Sequence, residues 1–129
     1  MKKNILFVCI ENSNRSQLAQ AFAKIHGSEK VTAYSAGSNP SGKVNPSAIA
    51  VMKELGYDLS THRSKSLDEI PDLEFEFAVT MGCGDECPLV KAKHHEDWEI
   101  PDPRDMNERE YQAVCKLIEK KVIALLETI

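Results

Sequence analysis

The sequence has 129 residues, 42% of them hydrophobic and 28% charged, which is enough for one domain with a buried core and too short for two ordinary domains. The formal net charge of -4 and the pI near 5.6 argue against a surface for nucleic acid or an anionic membrane, because neither polyanion attracts a mildly acidic protein. We therefore expect a single domain over residues 1–129, with a small molecule or another protein as its partner.

The start of the chain, MKKNILFVCI, does not fit a secretory signal. Its apolar run is soon followed by Glu11 and Arg15, whereas a secretory core needs roughly seven to fifteen apolar residues and a cleavage site. No stretch approaches the roughly 20 apolar residues of a membrane span. We expect a cytoplasmic monomer, in which four cysteines are catalytic, metal-binding or simply reduced rather than a disulfide framework.

The first half of the chain predicts two strand and helix pairs. Residues 4–9 are typical of a strand covered on both faces, and apolar residues at helical spacing follow in 18–25, with Gly27 as the stop. Residues 31–36 predict the second strand. Asn45 and Pro46 have the pattern of an N-cap and a first helical turn, so a second helix runs from there to Gly56.

The second half predicts an irregular connection over 57–73, two more strands and a long helix. Apolar and polar residues alternate over 75–81, which indicates a third strand, and 93–97 gives a weaker signal for a fourth. Apolar residues follow one helical face from Tyr111 to Leu126. Strands that alternate with helices imply a three-layer α/β/α sandwich around a parallel sheet.

The loop CIENSNR at residues 9–15 carries the clearest chemistry. It lies between a buried strand and a helix, so its backbone N–H groups can surround an anion, and the positive end of the helix adds to their effect. Arg15 offers a planar fork of donors that suits two oxygens of a tetrahedral anion. The same donors stabilise a thiolate, which makes Cys9 a candidate nucleophile. A buried, inert cysteine is the alternative reading of Cys9.

Together with YSAG at 34–37 and the pair Asp102–Pro103, this loop resembles that of the low-molecular-weight protein tyrosine phosphatase fold. RSQ at 15–17, MGCGDECP and EDWEIPDP resemble the thioredoxin-coupled arsenate reductases. The resemblance implies a four-stranded parallel sheet, Cys9 as nucleophile and Arg15 as the oxyanion grip. It also implies a loop that binds arsenate or phosphate through residues at seven positions: Ile10, Glu11, Asn12, Ser13, Asn14, Arg15 and Ser16.

The resemblance further implies a relay of three thiols. Cys83 would attack an arsenate adduct of Cys9, and Cys87 would then attack Cys83, leaving a disulfide for an external dithiol reductant such as thioredoxin. No bound cofactor is expected. A phosphatase with Cys83 and Cys87 as redox protection, and a module that only senses oxyanions, remain alternatives.

Several further positions bear on this interpretation. Asp102, held between two prolines, is implied as the general acid, although a turn aspartate is the plain alternative. A zinc site of Cys83, Cys87, His94 and His95 is disfavoured, because adjacent histidines on a strand point to opposite sides.

Where some reductases bind a monovalent cation, Gln20 and Lys65 replace two acids here, so we expect no metal and a Lys65 ammonium in its place. Glu11 is expected to point outward to solvent, and Cys115 to be a core residue.

Overall fold

The computed structural model describes residues 2–82 and 90–129. Four strands, β1 (Lys3–Cys9), β2 (Val31–Gly37), β3 (Phe75–Thr80) and β4 (Ala92–Asp97), form one sheet in the order β2-β1-β3-β4, and every neighbouring pair is parallel. Three helices, α1 (Arg15–Gly27), α2 (Pro46–Glu54) and α3 (Glu108–Glu127), complete the framework. The predicted parallel α/β fold is confirmed.

β1 is the centre of the core because its two faces belong to different hydrophobic clusters. Ile5, Phe7 and Cys9 pack with residues from all three helices, whereas Leu6 and Val8 face the other side. This alternation follows from the two-residue period of a strand. The second face is covered by the segment around the short 3-10 helix Leu67–Glu69, with Ile70 and Leu73 against it.

The start of α2 and the end of α1 lie where the sequence predicts them, and their contacts give the physical reasons. Asn45 accepts a hydrogen bond from the backbone N–H of Ser47, as an N-cap should, and Pro46 opens α2. α1 ends at Gly27, but the backbone there is not left-handed. Gly27 instead allows α3 to approach closely, since an added Cβ would lie 2.7 Å from a methyl carbon of Leu126.

Cys9 ends β1, the strand at which the order of strands across the sheet reverses. β2 pairs with one side of β1 and β3 with the other, so the residues after β1 stand over a gap between diverging connections. Ligands bind at such switch points in parallel sheets, beyond the carboxyl ends of the strands. None of the helices in the described ranges is long and apolar enough to cross a membrane.

Candidate active site

The loop at residues 9–14 turns its carbonyl groups outward. Five backbone or side-chain N–H groups from neighbouring segments donate to the loop carbonyls: Ser38 N to Cys9 O, Asn39 N to Ile10 O, Ser41 N to Glu11 O, Gln17 Nε2 to Asn12 O, and Asn45 N to Ser13 O. The first turn of α1 supplies the sixth, Leu18 N to Asn14 O at 2.9 Å.

The amide groups of the same loop are left for a ligand. Within residues 2–82 and 90–129, none of the backbone N–H groups of residues 10–14 donates a hydrogen bond to another protein group. Because each of the loop carbonyls is occupied from outside, these amides converge on the inside of the curve, at the N-terminus of α1. This arrangement is a cradle for an anion.

Asn12 holds the bend that makes the cradle possible. Its φ is 51°, in the left-handed region that asparagine adopts more readily than most residues. The side chain is fully buried, and its Oδ1 accepts from the backbone N–H of Lys65 at 3.0 Å and from Gln17 Nε2 at 2.8 Å. These bonds fix the loop to the first turn of α1, through Gln17, and to the segment at Lys65, which is 53 positions away in sequence.

A chain of hydrogen bonds ends at the thiol of Cys9. Asn12 Nδ2 donates to Ser16 Oγ at 2.7 Å, so the hydroxyl hydrogen of Ser16 is free to point to Cys9 Sγ, which lies 2.9 Å away. Such a hydroxyl donor stabilises the thiolate, the form of cysteine that attacks electrophiles. Cys9 itself is buried, with an exposed fraction of 2%.

The chain continues away from the thiol to His62 and Tyr57. Since Gln17 uses its amide nitrogen towards Asn12, its Oε1 accepts from His62 Nδ1 at 2.9 Å, and His62 Nε2 then accepts from the hydroxyl of Tyr57 at 2.5 Å. Burial, with help from Lys24 and Lys65, lowers the pKa of His62 to about 4, which keeps the imidazole neutral as this chain requires. Every donor from Tyr57 onward therefore points towards the sulfur.

Arg15 lies buried against the connection that follows β4. Its Nη1 donates to the carbonyl of Ile100 at 3.1 Å, and Nη2 is 4.0 Å from Asp102 Oδ2. Gly82 makes room for this guanidinium, because a Cβ there would lie 2.3 Å from Arg15 Nη1. The guanidinium and Asp102 thus meet over the loop, although they come from opposite ends of the chain.

These groups line a small pocket that is open to solvent on one side. Its lining consists of six residues: Cys9, Glu11, Ser13, Asn14, Arg15 and Asp102. The predicted nucleophile, oxyanion grip and carboxylic acid are therefore brought together by the fold. Of the other predicted binding residues, Asn12 and Ser16 do not line the pocket but hydrogen-bond to each other behind the loop, and the carbonyl of Ile10 faces outward.

Other predicted positions fall elsewhere or differ from expectation. Cys83 and Cys87 lie outside the described residues. Cys115 is buried on α3, and this burial raises the pKa of its thiol to about 11, as suits an inert core residue. Glu11 does not point freely into solvent as expected, since its Oε2 lies 2.6 Å from Arg104 Nη1.

The segment around Lys65 matches the expectation of an ammonium below the loop. Lys65 Nζ donates to Ser35 Oγ at 3.2 Å, and Ser35 donates to Gln20 Oε1 at 2.6 Å. Burial lowers the pKa of Lys65 to about 8. Among the described residues, no group of histidine, cysteine or acidic side chains could hold a metal ion.

Sequence reasoning missed the roles of Gln17, His62, Tyr57 and Arg104. The first three are linked by contacts that span up to 45 positions, and His62 and Tyr57 lie in a segment without a periodic pattern. Arg104 is separated from Glu11 by 93 positions. The only local signal was the polar character of residues 57–66, which does not say what they contact.

The comparisons with known proteins cover nearly the whole chain. The family model described as low molecular weight phosphotyrosine protein phosphatase matches residues 4–129. A curated relative, the glutaredoxin arsenate reductase of Synechocystis sp., is 33% identical over 98% of this chain and 98% of its own length.

Two solved structures share the architecture. An arsenate reductase in the phosphate binding state is 33% identical, with a TM-score of 0.89 over 100% of this chain and 99% of the other. The thioredoxin-dependent arsenate reductase of Corynebacterium glutamicum is 28% identical, with a TM-score of 0.80 over 98% of this chain and 61% of the other.

We expect Gly82→Ala to weaken binding of inorganic phosphate by at least about tenfold, because the new Cβ would displace Arg15 from the pocket. Isothermal titration calorimetry measures the affinity. Gly56→Ala is the matched control: Gly56 has a φ of 85°, close to the 78° of Gly82, but open space around its Cβ position. If both variants bind phosphate as the parent does, the placement of Arg15 is wrong.

The lowered pKa of His62 predicts a stability that falls in mild acid. The unfolded chain takes up a proton near the ordinary pKa of 6.5, whereas the folded protein does so only near 4, so the unfolded state binds more protons between these values. The free energy of unfolding should drop by up to about 2 kcal/mol between pH 8 and pH 5 from this residue alone.

Urea unfolding of His62→Asn and the parent at both pH values tests this assignment. The variant should lose most of that pH-dependent drop, because asparagine does not titrate. His94→Asn, on the exposed face of β4, is the control and should keep the parent's dependence. Equal pH dependence in parent and His62→Asn would contradict a half-buried, neutral His62.

Proposed function

The chain belongs to the low molecular weight phosphotyrosine protein phosphatase family, and we propose that it is an arsenate reductase that converts arsenate to arsenite. The observation that carries this proposal is the loop whose carbonyls all face outward and whose amides, with Arg15, surround the space beside the Cys9 thiol. Such a site binds a tetrahedral oxyanion and presents a nucleophile to its central atom.

The first proposed step uses the groups that line the pocket. The Cys9 thiolate attacks the arsenic of the bound arsenate and displaces one oxygen, which leaves as water once it is protonated. Asp102 lines the same pocket, which supports a role for its carboxylic acid as the donor of that proton. Arg15 and the loop amides hold the remaining oxygens, and the negative charge that builds on them is stabilised by donors already in position. The product is a covalent Cys9 adduct of arsenic(V).

Reduction needs two electrons, which thiols supply. Cys83 attacks the sulfur of Cys9, so that a disulfide forms and the bond between sulfur and arsenic breaks with its electron pair on arsenic. Arsenic(V) becomes arsenic(III), and arsenite leaves. Cys87 then attacks Cys83, which releases the Cys9 thiolate and leaves a disulfide between Cys83 and Cys87. The roles of Cys83 and Cys87 rest on the sequence pattern, since both lie outside the described residues.

An external dithiol closes the cycle. By name, the C. glutamicum relative is thioredoxin-dependent and the Synechocystis relative uses glutaredoxin, so both point to a small thiol protein as reductant. We propose a thioredoxin-type protein as the partner, no bound cofactor, and action by a monomer in the reducing cytoplasm, where dithiols of this kind are kept reduced.

Hydrolysis of phosphate esters is the second candidate function, and the family description favours it. The chemistry of the first step is shared, because the cradle fits phosphate as well as arsenate. However, no aromatic side chain lines the pocket in the part of the chain that the structure describes, and Glu11 lies at its edge. These features suit a small inorganic oxyanion better than a phosphotyrosine ring, which needs apolar walls.

We expect NADPH oxidation that depends on both arsenate and thioredoxin with its reductase, and we expect Cys9→Ser, Cys83→Ser and Cys87→Ser each to reduce the rate at least about a hundredfold. Cys115→Ala is the matched control for loss of a thiol and should keep the parent's rate, because Cys115 is buried in the core away from the pocket. Glutaredoxin with glutathione serves as the second reductant arm.

Two results would contradict the proposal. If Cys83→Ser and Cys87→Ser reduce arsenate as fast as the parent, the three-thiol relay is wrong. If the parent hydrolyses p-nitrophenyl phosphate rapidly but does not turn over arsenate with either reductant, the protein is a phosphatase. Slow hydrolysis alone is expected of a reductase too, because the same loop binds phosphate.

A further inference from the structure

Two carboxylates stand at the rim of a site that takes an anion. Glu11 and Asp102 both line the pocket with Cys9 and Arg15. Arsenate and phosphate are anions at neutral pH, so an uncompensated carboxylate at this rim would repel them. Arg15 provides one positive charge, which cannot offset both carboxylates and also bind the ligand. The rim therefore needs a second cation.

Arg104 is that cation, and its contacts place it between the two carboxylates. Its Nη1 lies 2.6 Å from Glu11 Oε2, and its Nη2 lies 3.4 Å from Asp102 Oδ2. Its backbone N–H also donates to Asp102 Oδ1 at 3.1 Å. This hydrogen bond between residues on either side of Pro103 fixes the backbone position of Arg104. From that position the guanidinium contacts both Asp102 and Glu11 of the loop.

We propose that Arg104 is a positioning residue that neutralises Glu11 and holds its carboxylate out of the path of the incoming oxyanion, while Asp102 keeps its place in the pocket lining. With Arg104 in place, the two carboxylates at the rim are balanced by two guanidiniums, those of Arg15 and Arg104. Arg104 thus determines how well a loop that carries an acidic residue binds an anion.

The exposure of this pair separates the proposed role from a structural one. The Arg104 side chain is 56% exposed and that of Glu11 is 34% exposed. Ion pairs with this exposure contribute little to the stability of a fold. Their charges still act on a ligand that binds beside them, and salt screens that effect. Loss of Arg104 should therefore change anion affinity and its salt dependence, with little change in unfolding.

Protection of Cys9 from alkylation measures anion affinity without using the reductase reaction. Parent and variants are treated with the neutral reagent iodoacetamide at increasing concentrations of inorganic phosphate, and mass spectrometry reads the label on the peptide that contains Cys9. The inference rests on the proposed function only in that the loop takes a tetrahedral oxyanion. Urea unfolding of each variant shows whether its fold is intact.

The expected pattern follows the charge at the rim. At low salt, Arg104→Gln should raise the half-protecting phosphate concentration about fivefold to tenfold, because it leaves Glu11 unpaired. Glu11→Gln should lower that concentration, since it frees the Arg104 charge. The double variant Glu11→Gln/Arg104→Gln restores the balance and should return to within about twofold of the parent. At 0.5 M NaCl, a concentration chosen for the assay, these differences should shrink, with the Debye length at about 4 Å.

Arg109→Gln is the matched control, an exposed arginine in the first turn of α3 with no ion pair among the residues that the structure describes, and it should match the parent. An affinity for Arg104→Gln within about twofold of the parent's, or a double variant as weak as Arg104→Gln, would overturn the inference while the oxyanion site stands. If neither phosphate nor arsenate protects Cys9 in the parent, the oxyanion site itself fails, and the inference fails with it.

Discussion

The outward orientation of the loop carbonyls after β1 is the constraint on which the rest of the site depends. A loop between a strand and a helix has no fixed direction for its peptide groups, so the surrounding structure must choose one. Here the backbone of residues 38–45 supplies donors to the loop carbonyls, and the left-handed turn at Asn12 reverses the chain within the loop. With the carbonyls occupied, the amides are the backbone groups of the loop that are left to meet a ligand.

This constraint explains two glycines that composition alone would not single out. A Cβ at Gly37 would lie 2.6 Å from the carbonyl oxygen of Ile10, so β2 can pass this closely only with glycine at its end. Gly82, two residues after the end of β3, has the same role for the Arg15 guanidinium. β2 thus ends in a residue without a side chain, and a second such residue follows β3 by two positions, which leaves room for the loop and for Arg15.

The support for the thiolate is also a consequence of directed hydrogen bonds. Because Asn12 Oδ1 accepts two bonds, its amide group can only donate to Ser16, and the Ser16 hydroxyl is then oriented to Cys9. The neutral His62 and Tyr57 extend the same direction outward. A protonated His62 would still donate to Gln17 but would have no acceptor for the Tyr57 hydroxyl, so the outer part of the chain depends on its low pKa.

Features that are local in sequence were predicted, and features that join distant segments were not. The continuous apolar run of β1, the Asn45 and Pro46 start of α2, and the apolar face of α3 are local patterns, and each led to the right element. The place of the sequence CIENSNR between a strand and a helix located the loop for the same reason. The pairing of Glu11 with Arg104 was missed, because it arises only when the connection after β4 folds over the loop.

The reason for Gly27 at the end of α1 was not predicted either, because it also depends on a contact between distant segments. A glycine after an apolar stripe predicts a helix end, and α1 does end there, but the close contact with Leu126 is a matter of how α1 packs on α3. Packing of this kind has no signature in the neighbouring residues. The relay roles of Cys83 and Cys87 remain predictions from sequence and family.

The most direct test of the central claim is a two-dimensional NMR titration of ¹⁵N-labelled protein with inorganic phosphate. If the loop amides form the cradle, the N–H signals of residues 10–15 should move downfield together with one saturable dissociation constant, while signals along the exposed face of α3 stay in place. Saturable binding that moves signals elsewhere and leaves those of residues 10–15 unchanged would contradict the account.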